Sequence, residues 1–176
     1  MSGHNKFSKI KHIKAKNDAQ KSKLYGKLVR LITVEAKKAG GNVSSPGLAA
    51  AIDKARKENM PNDTIERAIS KASDASADME TVTYEAYGPG GAAILMSALT
   101  DNRNRTLQEL KAILSRHDIA LASPGSASWA FEKGADGTMA PVSTIPLDDA
   151  DIEKLTALVE AIEEQDDIQD VLTNAE

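Results

Sequence analysis

The stretch "TVTYEAYGPGGAAILMSALTDNRNRTLQELKAILSRH", Thr81 to His117, decides how the second half of this chain folds. "TVTYEAY" has the composition of a strand, and "GPGG", Gly88 to Gly91, is a turn. "AAILMSAL" is a second strand, so the two form a hairpin. From about Arg103 to His117 the apolar residues return at helical spacing. Working outward, a loop "IALASPGS" leads to a strand "ASWAFEK" and then to a strand "PVSTIPL". "DDADIEKLTALVEAIEEQ" is a helix, with Asp148 or Asp149 at its cap and acids in its first turn. "IQDVLTN" is a last short strand. After the first strand the order is β-α-β-β-α-β, the split βαβ pattern of ferredoxin-like domains. That pattern sets two helices on one face of an antiparallel sheet.

Within this stretch "LTDNRNRT", Leu99 to Thr106, poses a question of its own. Arg103 and Arg105 fall at a helix start, where unpaired N–H groups already carry partial positive charge. Asp101, Asn102 or Asn104 can cap that helix, but capping does not account for two cations. Two answers stand open. The arginines and the helix-start N–H groups form a phosphate site, or the arginines pair with Glu109 or with acids from the C-terminal helix.

Upstream, Ala19, Leu24, Leu28, Leu31, Ile32 and Val34 recur at roughly helical spacing between Asp18 and Lys38. "AGGN" stops that helix. Ser45 followed by Pro46 opens a second helix, which runs to about Glu58. "NMPNDTIERAISKA" opens a third, with Asn62 or Asp63 as cap. "SDASAD", Ser73 to Asp78, reads as a linker. The fold class is therefore α+β: a three-helix domain over 1–78 with an N-terminal arm, then a ferredoxin-like domain over 79–176 with an extra N-terminal hairpin strand.

The 176 residues carry a net charge of −4, which hides a division. Residues 1–40 hold eleven Lys/Arg against two acids, while residues 136–176 hold twelve acids against one lysine. The first segment suits a polyanion and the last repels one. Apolar residues make up 41% and aromatics 3%, so Ala, Leu, Ile and Val must build the core. There is no cysteine, which excludes disulfides and thiolate chemistry and fits a reducing cytosol. No apolar run reaches the roughly 20 residues of a membrane helix. No apolar signal core follows the basic start, so a cytoplasmic location is expected.

A catalytic constellation is hard to assemble. The histidines are His4, His12 and His117; the first two lie in the basic arm with no third metal ligand at a usual spacing, and the last ends a helix. "GPGG" lacks the lysine and Ser/Thr of a phosphate-binding loop. "SPGSAS" has no histidine and acid with triad logic. "EEQDDIQD" lacks the glycine and spacing of a calcium loop. The expectation is a non-enzyme with no cofactor, metal or small-molecule substrate.

Lys6, Lys9, Lys11, Lys14, Lys16, Lys21, Lys23, Lys27 and Arg30 fall close together, opposed only by Asp18. A basic arm that continues into a helix can follow a phosphate backbone, each neutralised phosphate releasing counterions. Phe7 and Tyr25 can stack on bases; the other reading is a solubilising basic tail, with the two rings packed on the helices. With His4, His12, Arg103 and Arg105 these lysines and Arg30 are the candidate nucleic-acid contacts.

Four blocks, "GHNKFSKIKHIKAKNDAQKSKLYGKL", "NMPNDTIERAI", "YEAYGPGGAAI" and "LTDNRNRT", together resemble the YebC/PmpR family. The resemblance runs on through "GSASWAFEKG" and "TIPL" to "DDIQDVLTNAE". It implies a three-helix N-terminal domain followed by α/β domains. It also implies work in gene expression: some members have been called DNA-binding transcriptional regulators. Others act in translation, associating with ribosomes and easing elongation through stretches such as consecutive prolines, and mitochondrial members activate translation of a cytochrome oxidase subunit. The basic positions that match the family motifs are His4, Lys6, Lys11, His12, Lys14, Lys27, Arg103 and Arg105. The chain departs from the family with Phe7 in place of Trp, Ile13 in place of Arg, and "HDIALASP" in place of a glycine-rich turn. Family members are typically longer, with a third domain inserted between "FEKG" and "TIPL". Here only the short stretch Ala135 to Pro141 bridges the two, so that domain is expected to be absent.

The leading expectation is a monomeric, ribosome- or RNA-associated translation factor. The alternatives are a DNA-binding transcriptional regulator, and a protein-interaction module in which the acidic helix Asp149 to Gln165 docks on a basic partner.

Overall fold

The computed structural model describes residues 18–74, 78–135 and 138–176. The chain divides into two compact units, Lys16–Glu80 and Thr81–Glu176.

The first unit is helical. Helix α1 (Asp18–Lys38), α2 (Pro46–Lys57) and α3 (Asn62–Ser70) are followed by a short 3-10 turn, Lys71–Asp74. Gly40 and Gly41 both take positive φ, and Gly41 N–H returns to the Ala36 carbonyl, which closes α1 as "AGGN" implies. Ser45 and Pro46 open α2 as expected, although the Ser45 side chain makes no cap hydrogen bond. The N-cap of α3 is Pro61, one residue ahead of the polar pair that the sequence favours. Leu28, Ile32 and Ala36 of α1 pack on Leu48, Ala51, Ile52 and Ala55 of α2 and on Ile65 and Ala68 of α3. The alanines let the helices approach closely in a core without large aromatics.

The second unit is built on β1 (Glu80–Tyr87), β2 (Ala93–Thr100), α4 (Arg103–Arg116), β3 (Phe131–Lys133), β4 (Met139–Pro141), α5 (Asp149–Glu163) and β5 (Ile168–Thr173). A three-stranded sheet has the order β1-β2-β5. Strand β2 is its centre and is buried at every position but Ser97. Ile94, Met96 and Ala98 face a core made with Leu110 and Leu114 of α4 and Leu155, Leu158 and Ile162 of α5. Ala93 and Leu95 face the other way, onto Ala127, Ala130 and Phe131. Both helices thus cover one face of the sheet, as expected, and the chain is α+β.

The sheet differs from the split βαβ expectation in one respect. In that pattern the two middle strands join the main sheet. Here β3 and β4 form a separate antiparallel pair, with Phe131 opposite Pro141 and Lys133 opposite Met139. The physical reason is that a strand has two edges. Those of β2 are taken by β5 and by the hairpin partner β1. The segment before β3 therefore packs on the open face of the sheet. The expected strand over "ASWAFEK" shrinks to Phe131–Lys133 behind a 3-10 turn, and "PVSTIPL" keeps only its first residue, Pro141, in β4, with a separate parallel bridge from Ile145 to Ala175. The Asn174 side chain ties the same region together, accepting from Ala93 N–H at 2.7 Å and donating to the Ser143 carbonyl at 2.9 Å.

The loop "SPGSAS" is shaped by a carboxylate far from it in sequence. Glu85 of β1 accepts the backbone N–H groups of Gly125, Ala127 and Ser128 at 2.7, 2.7 and 2.9 Å. Burial pushes this carboxyl up, but the three N–H donors outweigh it and hold it below its ordinary value.

"GPGG" is a structural turn against the start of α5. Gly90 has φ +67°, and a Cβ there would overlap Leu147 Cδ2 and stand 3.0 Å from Asp151 Oδ2. Gly90→Ala is expected to destabilise the protein by about 1–3 kcal/mol, from left-handed strain and overpacking together. Urea denaturation followed by circular dichroism checks this; an unchanged midpoint would contradict it.

Candidate nucleic-acid interface

His4, Lys6, Lys9, Lys11, His12, Lys14 and Lys16, with Phe7, lie outside the described residues. The described part of the basic tract is on α1. Lys23, Lys27 and Arg30 stand four and three residues apart, which aligns them on one side of a helix. Leu28, Ile32 and Ala36 occupy the core side. Lys37, seven residues beyond Arg30, continues the same ridge and was missed by the sequence reading. Its ammonium lies 3.5 Å from Asp78.

Lys21 is not on this ridge. Its Nζ lies 5.7 Å from the centroid of the Tyr25 ring, one turn on. The Tyr25 ring is partly buried and packs against the helical core. Its hydroxyl lies within hydrogen-bond reach of the carbonyls of Glu58 and Asn59, at 3.2 and 2.7 Å, which pins α1 to the end of α2. Asn59 has φ +59°, so this ring fastens a tight turn.

Arg103 and Arg105 open α4 in the other unit. Asn102 is the N-cap, its Oδ1 accepting from Arg105 N–H at 3.1 Å. The Arg105 side chain turns back on two carboxylates, 2.9 Å from Asp101 Oδ1 and 2.8 Å from Asp167 Oδ2. The Asp167 side chain is only 3% exposed. The same Oδ2 also receives the hydroxyl of Thr106 at 2.7 Å and lies 3.3 Å from that of Thr100. Gln165 adds a longer contact at 3.4 Å and donates to Glu109 at 2.7 Å. Burial pushes the Asp167 carboxyl up, but hydrogen bonds from Arg105, Thr106 and Gln165, with the Arg105 charge, hold it at about 2. An arginine at this helix start therefore has an internal anion to meet. That partner lies just after α5 rather than within it. Arg103 contributes its backbone carbonyl to a 3.4 Å contact from the Tyr84 hydroxyl.

Among the described residues no group of three or more His, Cys, Asp or Glu is placed to hold a metal ion. No helix among them is long and apolar enough to cross a membrane.

Residues 5–75 match the family profile described as the TACO1/YebC protein N-terminal domain, and residues 79–137 match the TACO1/YebC second and third domain. A protein of Fervidobacterium nodosum named "Probable transcriptional regulatory protein" is 44% identical over 171 residues, covering 96% of this chain and 68% of that protein. A protein of Thermosipho africanus with the same name is 36% identical over 237 residues, covering all of this chain and 94% of the relative. The crystal structure of a conserved hypothetical protein of Aquifex aeolicus superposes with a TM-score of 0.78 at 31% identity, covering 93% of each chain. Helical unit, sheet unit and these matches together define a multidomain α+β protein. The chain belongs to the TACO1/YebC family. The match to the second and third domain ends at residue 137, between β3 and β4 in sequence. The Thermosipho africanus alignment runs over 237 residues against the 176 of this chain, so this chain is the shorter of the two.

Proposed function

We propose that this protein is a non-enzymatic nucleic-acid-binding regulator of gene expression, and that its target is RNA on the ribosome. The observation that carries this reading is the ridge of Lys23, Lys27 and Arg30, set opposite the core of α1 and continuing the lysine-rich tract of residues 6–16. Regularly spaced cations on a helix meet phosphates without reading bases. Arg105 is assigned first to Asp167 and only then to phosphate.

A second reading, a DNA-binding transcriptional regulator, is favoured by the name the relatives carry, "Probable transcriptional regulatory protein". Co-sedimentation with ribosomes on sucrose gradients across a salt series separates the two. The wild type is run beside a Lys23→Glu, Lys27→Glu, Arg30→Glu variant. The RNA reading expects the wild type in the ribosomal fractions at moderate salt and the variant at the top. If both stay at the top while the wild type retards duplex DNA with sequence preference, the transcriptional reading replaces it.

A further inference from the structure

Gly26 stands in the interior of α1, the 21-residue helix Asp18–Lys38, and it is exposed. Glycine is the poorest residue for a helix interior after proline, because it loses the most backbone freedom on folding and adds no side chain to the packing. Such a position needs a reason, and the fold supplies reasons at other glycines. Gly40 and Gly41 take positive φ, and at Gly88 a Cβ would stand 2.9 Å from Ile94 Cδ1. Gly26 has neither. Its φ is not positive, and a Cβ built there meets no atom of the described residues within 4 Å. A side chain at this position is therefore unopposed by the described fold, and alanine would hold the helix better.

The surroundings of Gly26 point to the ligand chemistry. Lys23 lies three residues before it and Arg30 four after, so both stand beside it on one side of the helix. Lys27 is its neighbour in sequence. Leu28, Ile32 and Ala36 occupy the core side. Along the axis Lys23 and Arg30 are about 10 Å apart, at roughly 1.5 Å per residue, with Gly26 in the interval between them. Glu35, the acid in the second half of α1, is bonded to Lys38 at 2.8 Å. The missing side chain thus leaves a gap among three cations. A polyanion whose backbone must come close to the helix fits that gap, and close approach of a ligand is one of the uses of glycine.

We propose that the sugar–phosphate backbone of the bound RNA lies directly against α1 at Gly26, with Lys23, Lys27 and Arg30 on its phosphates. This inference rests on the RNA reading and adds to it the point of closest approach. A side chain at position 26 holds the strand away from the helix and lengthens the ionic contacts, although no charge is changed. RNA affinity and helix stability are thereby set against each other at one residue.

The test is fluorescence anisotropy of a labelled synthetic RNA hairpin titrated with the full chain, beside thermal melts of each variant. Gly26→Ala and Gly26→Leu, both to good helix formers, should melt at a higher temperature than the wild type. Their binding should weaken all the same, by about threefold and about tenfold respectively. A Lys23→Glu, Lys27→Glu, Arg30→Glu variant tests the underlying reading and should not bind. If Gly26→Leu binds as tightly as the wild type while the charge-reversed variant does not bind, the close approach is overturned and the RNA reading stands. If Gly26→Ala melts lower than the wild type, the glycine serves the fold itself and the inference is overturned. If the wild type and the charge-reversed variant bind alike, or neither binds, the RNA reading falls and this inference falls with it.

Discussion

Replacing Asp167 by alanine is expected to cost the sheet unit about 1–3 kcal/mol, because it removes a buried acceptor shared by several donors and one of the two carboxylates that meet the half-exposed Arg105 guanidinium. The carboxylate is the shared acceptor of Arg105, Thr106 and Gln165, with Thr100 in reach, and its removal leaves the buried Thr106 hydroxyl only the longer contacts to Thr100 and the Asn102 carbonyl. In a unit of this size each kcal/mol lowers Tm by roughly 4–8 °C, so a fall of about 5–20 °C is expected in a thermal melt. The pH dependence has a definite sign. The folded carboxyl titrates at about 2 against an ordinary value of 3.8. Its contribution is present above the ordinary carboxyl range and is lost as pH falls from about 4 towards 2. Urea midpoints at neutral pH and near pH 3 should converge between wild type and Asp167→Asn. A variant as stable as the wild type at neutral pH would show that Asp167 does not anchor α4. Arg105→Ala gives the complementary result: it should lose stability in the same assay. If instead it keeps stability and loses RNA binding, phosphate is its principal partner.

Glu85→Ala is the second large effect. Three buried or half-buried backbone N–H groups converge on one side chain, and each orphaned donor costs about 1–3 kcal/mol, softened where the loop can reach water. A loss of about 3 kcal/mol is expected at neutral pH. Glu85→Gln, which keeps one acceptor but sets an NH2 against an N–H, should fall between the two. Because the folded pKa lies below the ordinary value, this contribution too is present above the carboxylate range and fades as pH drops through it. The local readout is Trp129, which follows Ser128 directly; its emission should change in Glu85→Ala before global unfolding begins. Loss of stability with unchanged emission would mean that Glu85 supports the sheet but not the loop.

Both carboxylates show where sequence reading stops. Helices and their caps were legible because their signals are local: Gly40 and Gly41 end α1, Asn102 caps α4, and Asp148 caps α5 through Asp151 N–H at 2.8 Å. The central strand was legible from its unbroken apolar run. The partners of Arg105 and Glu85 were not, because they lie 62 residues and 40 to 43 residues away. A pairing pattern of residue types does not encode that distance. The β1-β2-β5 order was hidden for a related reason: two strands competed for one edge of β2, and periodicity cannot decide which of them takes it. In the candidate interface the ridge of Lys23, Lys27 and Arg30 follows from spacing alone. The carbonyl partners of the Tyr25 hydroxyl were not legible, since they lie 33 and 34 residues away.

The register of β2 against β5 has a kinetic consequence. Ile94 pairs with Thr173 and Leu95 with Leu172, so the central strand meets one of its two neighbours only after nearly eighty intervening residues. The helical unit closes through contacts within a far shorter span. Loop-closure entropy slows the first kind of pairing and spares the second. Refolding from urea should therefore show two phases: a fast one in helical signal from the N-terminal unit, and a slower one reported by Trp129. In the interval, β2 presents an unpaired apolar edge, which makes the half-folded chain the species most prone to aggregate.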